Sequence, residues 1–231
     1  MRRARLWLAL VALGLGLVLA GYYGGIFYTV WRLRDHNPRI TAFMKIGLQR
    51  LRADNPAARL QQRWVPYAQI SENLKRAVIA SEDQRFLDHD GFDVQAMEQA
   101  LAKNARRGSI RHGASTISQQ LAKNLFLSPR RTYLRKAHEA VITMMLEHLL
   151  TKRRIFEIYL NVIEWGEGIY GAEAAAQHYF EEPASDLSRK EAARLAAMIP
   201  SPRFYTRNAD TPYLDQRTDV LLDEMEHVRI P

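Results

Sequence analysis

At 231 residues the chain is long enough for one ordinary domain plus an appendage and too short for two large ones. Apolar residues make up 47%, enough for a real core, and the absence of cysteine excludes disulfides and thiolate metal sites. The formal net charge of +8 is uneven: between Ala100 and Leu160 twelve Lys and Arg stand against three acids, leaving +9 there and −1 elsewhere, so that segment calls for an anionic partner such as phosphate, nucleic acid or acidic lipid headgroups.

Arg2, Arg3 and Arg5 precede a run from Leu6 to Trp31 with no formal charge. As a helix that run spans roughly 39 Å at about 1.5 Å per residue. Tyr22, Tyr23, Tyr28 and Trp31 lie where an interfacial aromatic belt would form. The pattern predicts an uncleaved single-pass anchor with an inside N-terminus and an exported domain. The alternative is a signal peptide cut after Val18-Leu19-Ala20, but the apolar stretch continues well past that point. The expected organisation is a cytoplasmic stub and transmembrane anchor at 1–31, a juxtamembrane approach segment at 32–63, and the exported domain at 64–231. The approach segment is expected to be partly helical from Pro38 to Leu51.

Trp64 to Ser71 reads as an entry segment, and Ser71 as the N-cap of a helix carrying Leu74, Ala77, Val78 and Ala80. The stretch "ASEDQRFLDHDGF" ends that helix with Glu82 and Asp83 side by side. A second helix is expected from Val94 to Arg106, then a loop with glycines at 108 and 113. Thr116, three residues before Gln119, has capping-box spacing for a helix with Ile117, Leu121 and Leu125. After the break at Pro129, Leu134, Ala137, Val141, Met144, Met145 and Leu149 fall at helical spacing. Further helices are expected from Arg154 to about Val162, over "AEAAAQHYF", over "LSRKEAARLAAMIP" up to Pro200, and in the tail. Gly166, Gly168 and Gly171 mark a turn. No alternating strand pattern stands out, so the fold class is mainly α.

Four stretches carry chemistry. Acids at a helix C-terminus oppose its dipole, so Glu82 and Asp83 are costly there. They form either an acidic turn with Asp83 paired to Arg85, or a general base among aromatics, where desolvation raises a carboxyl pKa. "GASTISQQLAKN" opens a capped helix whose free N–H groups favour an anion, with Lys123 two turns on; an ordinary capped helix reads the same, and the spacing is not that of a nucleotide P-loop. In "RKAHE", Arg135 and Glu139 stand at i,i+4, which a surface ion pair explains; a second carboxylate buried beside cations would instead suit catalysis. "KRRIFEIYLN" holds core positions, with Glu157 and Asn161 placed to orient neighbours.

In this order and separation, "EDQRFLDHDG", "GASTISQQLAKN", "RKAHE" and "KRRIFEIYLN" resemble the successive signature motifs of the peptidoglycan glycosyltransferases, over about Trp64 to Pro202. With no SxxK or KTG motif of a penicillin-binding module, the chain is similar to the monofunctional biosynthetic transglycosylases of that family. The resemblance implies a lysozyme-like helical glycosyltransferase domain behind one transmembrane helix. It implies polymerisation of lipid II into β-1,4-linked glycan strands at the bacterial inner membrane, with the domain in the periplasm and undecaprenyl diphosphate released. Glu82 would be the general base and Glu139 a supporting group near the donor pyrophosphate. Lys123 and Arg131 would supply cations to the leaving group, with Arg135 and Lys136 nearby. Ser115, Thr116, Gln119, Gln120 and Asn124 would line the cleft, Asp83 would hold the site together, and Phe86, His89 and Gly91 match the first motif. No cofactor is implied as required, and divalent-cation assistance is left open. The implied partners are lipid II, the growing strand, the membrane and other cell-wall synthesis or division proteins; nucleic acid conflicts with export. Two rivals stand beside this. A muramidase or lytic transglycosylase shares the fold and a catalytic Glu but has less need of ordered cations. A non-enzymatic scaffold for anionic lipid explains the charge but not four ordered motifs.

Overall fold

The computed structural model describes residues 2–107, 114–130 and 132–231. The helices begin where short hydroxyl side chains cap them. Thr41, Ser71, Thr116, Thr132, Thr151, Ser188 and Thr211 each accept a hydrogen bond from the backbone N–H three residues on. In chain order the elements are α1 (Arg2–Arg32), α2 (Ala42–Asp54), β1 (Gln61–Gln62), α3 (Glu72–Glu82), α4 (Val94–Arg107), α5 (Ile117–Phe126) and α6 (Tyr133–Leu149). There follow α7 (Lys152–Val162), β2 (Glu164–Gly166), β3 (Ile169–Tyr170), α8 (Ala172–Phe180), α9 (Arg189–Met198), α10 (Pro202–Arg207) and α11 (Pro212–Glu224). The mainly α class expected from the sequence is what is found.

The core lies between α3, α5, α7, α8 and α9, where Leu74, Val78, Ile117, Leu121, Ile155, Phe156 and Leu195 are fully buried. Helix α9 packs on α3 and α11, and α5 packs on α2, α6 and α7. Phe86 answers for its place after the paired acids by packing on Phe156, ring centroids 5.7 Å apart. That contact ties the loop after α3 to α7.

Helix α1 is exposed from Leu6 to Tyr22, but Tyr23, Ile26, Val30 and Leu33 share one face that turns inward, beside α6. Tyr22 and Tyr23 lie 6.1 and 5.9 Å from His138, centroid to centroid. Arg154 on α7 closes the joint, donating to the carbonyls of Leu33 (2.7 Å) and His36 (3.1 Å) and to Oδ1 of Asn37 (2.7 Å).

Three expectations are corrected. The approach helix starts at Ala42 and not Pro38, because Thr41 caps it. On α6 the buried residues are Glu139, Ile142, Thr143 and Leu146, whereas Leu134 and Met144 of the expected apolar stripe are exposed. The inward face is part of a polar site, so the apolar side is displaced outward. The turn around Gly166 and Gly168 is a hairpin of β2 and β3, with β1 parallel to β3 on the other side. Strands of two or three residues are too short to show alternation. Gly171 has φ +84°, and a Cβ there would stand 2.6 Å from the carbonyl oxygen of Asn161, so the chain can enter α8 only through glycine.

Candidate active site

Glu82 is the last residue of α3, on the wall of a cavity of about 440 Å³. The lining includes Ser81, Gln84, Gln95, Gln99, Lys103 and Arg217, together with Ser115 and Thr116 at the start of α5. The Glu82 carboxylate accepts hydrogen bonds from Nε2 of Gln120 (2.7 Å) and from Oγ of Ser81 (3.4 Å). Burial pushes its pKa up, opposed by those two hydrogen bonds and by the charges of Lys123 and Arg217. The group therefore keeps a proton to higher pH than an ordinary glutamate.

Asp83, beside it, also borders the cavity, but it is buried and its carboxylate is spent inside the fold. Its Oδ1 and Oδ2 lie 2.9 and 3.2 Å from Nε2 of His89, and Oδ2 accepts from the N–H of Ile117 (3.0 Å) at the first turn of α5. Nδ1 of His89 accepts from the N–H of Gly91 (3.2 Å), which leaves the ring proton on Nε2, facing Asp83. Asp83, His89 and Asp93 bring ligand-type atoms within 4.8 Å of one another, but each has its own hydrogen bonds, Asp93 to the N–H of Ala96 (2.9 Å) and to Arg85. The set is a brace between α3, its following loop, α4 and α5. Gly91 has φ +89°, and a Cβ there would meet Thr143 at 2.7 Å, so the loop passes α6 too closely for a side chain.

Within electrostatic reach of Glu82 is a cationic cluster. Glu139 is buried, with Arg135 on one carboxylate oxygen and Lys136 on the other. Lys136 also reaches Oγ of Ser115 (3.4 Å), which joins the cluster to the cavity rim. Lys123 is partly buried with its Nζ 5.6 Å from the Phe43 ring centroid. Burial pulls its pKa down, Arg135 and Lys136 adding to that and the carboxylates of Glu139 and Glu82 opposing it. The buried Nε of Arg135 has no hydrogen-bond partner among the described residues. A site with several cations, one internal carboxylate and an unused donor suits an anionic group.

The residues expected to line the cleft divide. Ser115 and Thr116 line the cavity, and Gln120 reaches Glu82. Gln119 is buried and spent on the capping box with Thr116, while Asn124 is buried and donates to the carbonyl of Gln120 (2.8 Å). Arg131 lies outside the described residues. Sequence reasoning missed Arg217, which α11 brings to the cavity from a tail without a motif, and the glutamines of α4. No local pattern marks either, because only the packing of α11 on α3 and α9 sets Arg217 near Glu82.

The sequence model of the transglycosylase family matches residues 50–226. The chain is 52% identical over 231 residues to the biosynthetic peptidoglycan transglycosylase of Herminiimonas arsenicoxydans, covering 100% of this chain and 99% of that protein. It is 54% identical over 212 residues to the protein of that name from Chromobacterium violaceum, covering 89% and 93%, and 50% identical over 231 residues to that of a Janthinobacterium strain, covering 100% and 99%. The match runs from α2 through α11 and takes in both the cavity around Glu82 and the cations beyond it: the chain belongs to the transglycosylase family.

Proposed function

We propose that the protein polymerises lipid II into β-1,4-linked glycan strands, with Glu82 as general base and the Lys123 cluster as the seat of the donor pyrophosphate. The observation that carries the reading is that Glu82 lines an open cavity and lies within reach of the charge of Lys123. Glu82 takes the proton from the 4-hydroxyl of the acceptor sugar. The freed oxygen bonds to C1 of the donor sugar and inverts it, and the C1–O bond to the pyrophosphate breaks with its electron pair. The departing lipid pyrophosphate gains charge, which Lys123, Arg135 and Lys136 are placed to hold; Arg131, outside the described residues, is the further cation that the family resemblance implies. Glu139 keeps Arg135 and Lys136 in place, and Asp83 locks α3 to α5 so that Glu82 and Gln120 stay in register.

In this reading 1–31 is a cytoplasmic stub and membrane anchor, 32–63 an approach that α2 and β1 fasten to the catalytic unit, and 64–231 the catalytic unit, on the periplasmic side of the inner membrane. Other cell-wall synthesis or division proteins are proposed as partners. The test is incubation of the detergent-solubilised full chain with labelled lipid II. Lysozyme-sensitive polymer and released undecaprenyl diphosphate are expected. Cleavage of preformed glycan with no polymer would give the site to a lytic enzyme.

A further inference from the structure

We propose that Tyr159 is a positioning residue for the base: from inside the core it holds the amide of Gln120 so that its NH₂ group faces Glu82. The proposal rests on the reading of Glu82 as general base. Three elements contribute one residue each. Tyr159, on α7, is fully buried, and its hydroxyl lies 3.1 Å from Oε1 of Gln120 on α5. Nε2 of Gln120 lies 2.7 Å from Oε2 of Glu82 at the end of α3 and 3.3 Å from the carbonyl oxygen of Ser115.

The orientation of an amide follows from its neighbours. With Glu82 ionised, a rotated Gln120 would set its oxygen against a carboxylate and a carbonyl, two acceptors with no proton between them. With Glu82 protonated the rotated amide becomes tolerable, because the carboxyl O–H can donate to it. Tyr159 then decides. In the observed orientation its O–H donates to Oε1; in the rotated one it would have to accept from NH₂, and among the described residues its proton would have no acceptor. A buried donor without a partner is disfavoured, so Tyr159 favours the orientation that serves the carboxylate. Burial and the nearby Glu82 and Asp83 charges push the Tyr159 pKa well up, so the hydroxyl is a donor throughout the working range. Through Gln120, a residue with no access to substrate thus biases the protonation of the base.

The other groups facing Glu82 are few. Lys123 on α5 and Arg217 on α11 are cationic and favour the ionised form. Arg85, Asp93 and Lys103 line the same cavity, Asp83 is held by His89 and the N–H of Ile117, and among the described residues α9 brings the carbonyl of Ala196, which accepts from Ser81. None of these touches the Gln120 amide, so the Tyr159 contribution is separable.

The test is the pH dependence of kcat/KM for lipid II, measured on the full chain in detergent. In Tyr159→Phe the acid limb should move to higher pH by about one pH unit, as expected for loss of one well-aligned hydrogen bond to the ionised form. KM should be unchanged, and kcat on the alkaline plateau should fall by less than about tenfold. A limb that stays in place, or a loss uniform across pH, would mean that Tyr159 only fills space. Should Tyr159→Phe not fold, Gln120→Leu, at a partly exposed position, tests the link through the amide: it removes the hydrogen bond to Glu82 together with the Tyr159 contact, so its acid limb must rise at least as far, and an unmoved limb overturns the proposal. Glu82→Gln separates this idea from the reading beneath it. Near-normal turnover in Glu82→Gln rejects the base, whereas an inactive Glu82→Gln with an unmoved Tyr159→Phe limb rejects the Tyr159 role alone.

Discussion

Glu82 sits where a carboxylate is least welcome, at the negative end of α3 and partly withdrawn from water. Its raised pKa has a sign that can be worked through. The folded state binds the proton more tightly than the unfolded chain does, where a glutamate titrates near about 4.3. The favourable contribution is therefore complete below that value and is lost as pH rises through the folded pKa. Glu82→Gln cannot ionise, so its Tm should equal or exceed that of the wild type at neutral pH, with the gap closing in acid; thermal scans at several pH values check this. The same substitution should reduce polymerisation by roughly 10²–10⁴-fold while lipid II still binds, since the cations are untouched. Greater stability with lost activity is what a strained catalytic group predicts, and a surface acid predicts neither. Lys123 is the counterpart. Lys123→Ala should cost about 10²–10³ in rate with the helical circular dichroism retained, as removal of one contact to the developing charge does. Full activity would remove Lys123 from the site.

At the scale of elements, α5 carries the most. Its first turn holds Asp83 through the N–H of Ile117 and presents Gln120 to Glu82, and its second presents Lys123. Thr116 is the hinge of this arrangement, because it caps the helix and also donates to the carbonyl of Gly91 (2.8 Å). Thr116→Ala should lower stability by about 1–2 kcal/mol. It should also depress kcat, because the offset of α5 from α3 changes; denaturation midpoints and single-turnover rates measure the two effects. This element was legible in advance, since a cap and its box are written within four consecutive residues. So was the Arg135–Glu139 pair on α6, four residues apart, though the default expectation was a surface pair and Glu139 is buried; its second partner, Lys136, was not foreseen. The face of α6 was not legible. Apolar periodicity assumes that the buried side is the greasy one, and here the inward face includes Glu139 and Thr143. The hairpin of β2 and β3 was also missed, for strands of three and two residues are too short to show an alternation. Arg217 depends on contacts between segments far apart in the chain, which no local spacing encodes.

The whole molecule is organised around the joint between α1 and the helices behind it. If α1 is a retained membrane span, the mature protein keeps Met1 or Arg2 and stays with membranes through a high-salt wash; a mature N-terminus near Gly21 by mass spectrometry would refute this. The joint itself has little slack. Tyr23, Ile26, Val30 and Leu33 are spent on the domain, and Arg154 grips the carbonyls that end the helix. From Leu6 to Tyr22 the helix is exposed all round, about 26 Å at about 1.5 Å per residue against a hydrocarbon layer of about 30 Å, and beyond it Phe27, Tyr28 and Trp31 stay exposed on the face away from the domain. In a bilayer the catalytic unit would thus ride on a mast and not on a rope. Its cavity would be held at one altitude above the membrane in which lipid-linked sugars drift. Enzyme and substrate would then meet by diffusion over a surface, where encounter depends on how densely lipid II is spread in the membrane and hardly at all on the volume of the compartment above it.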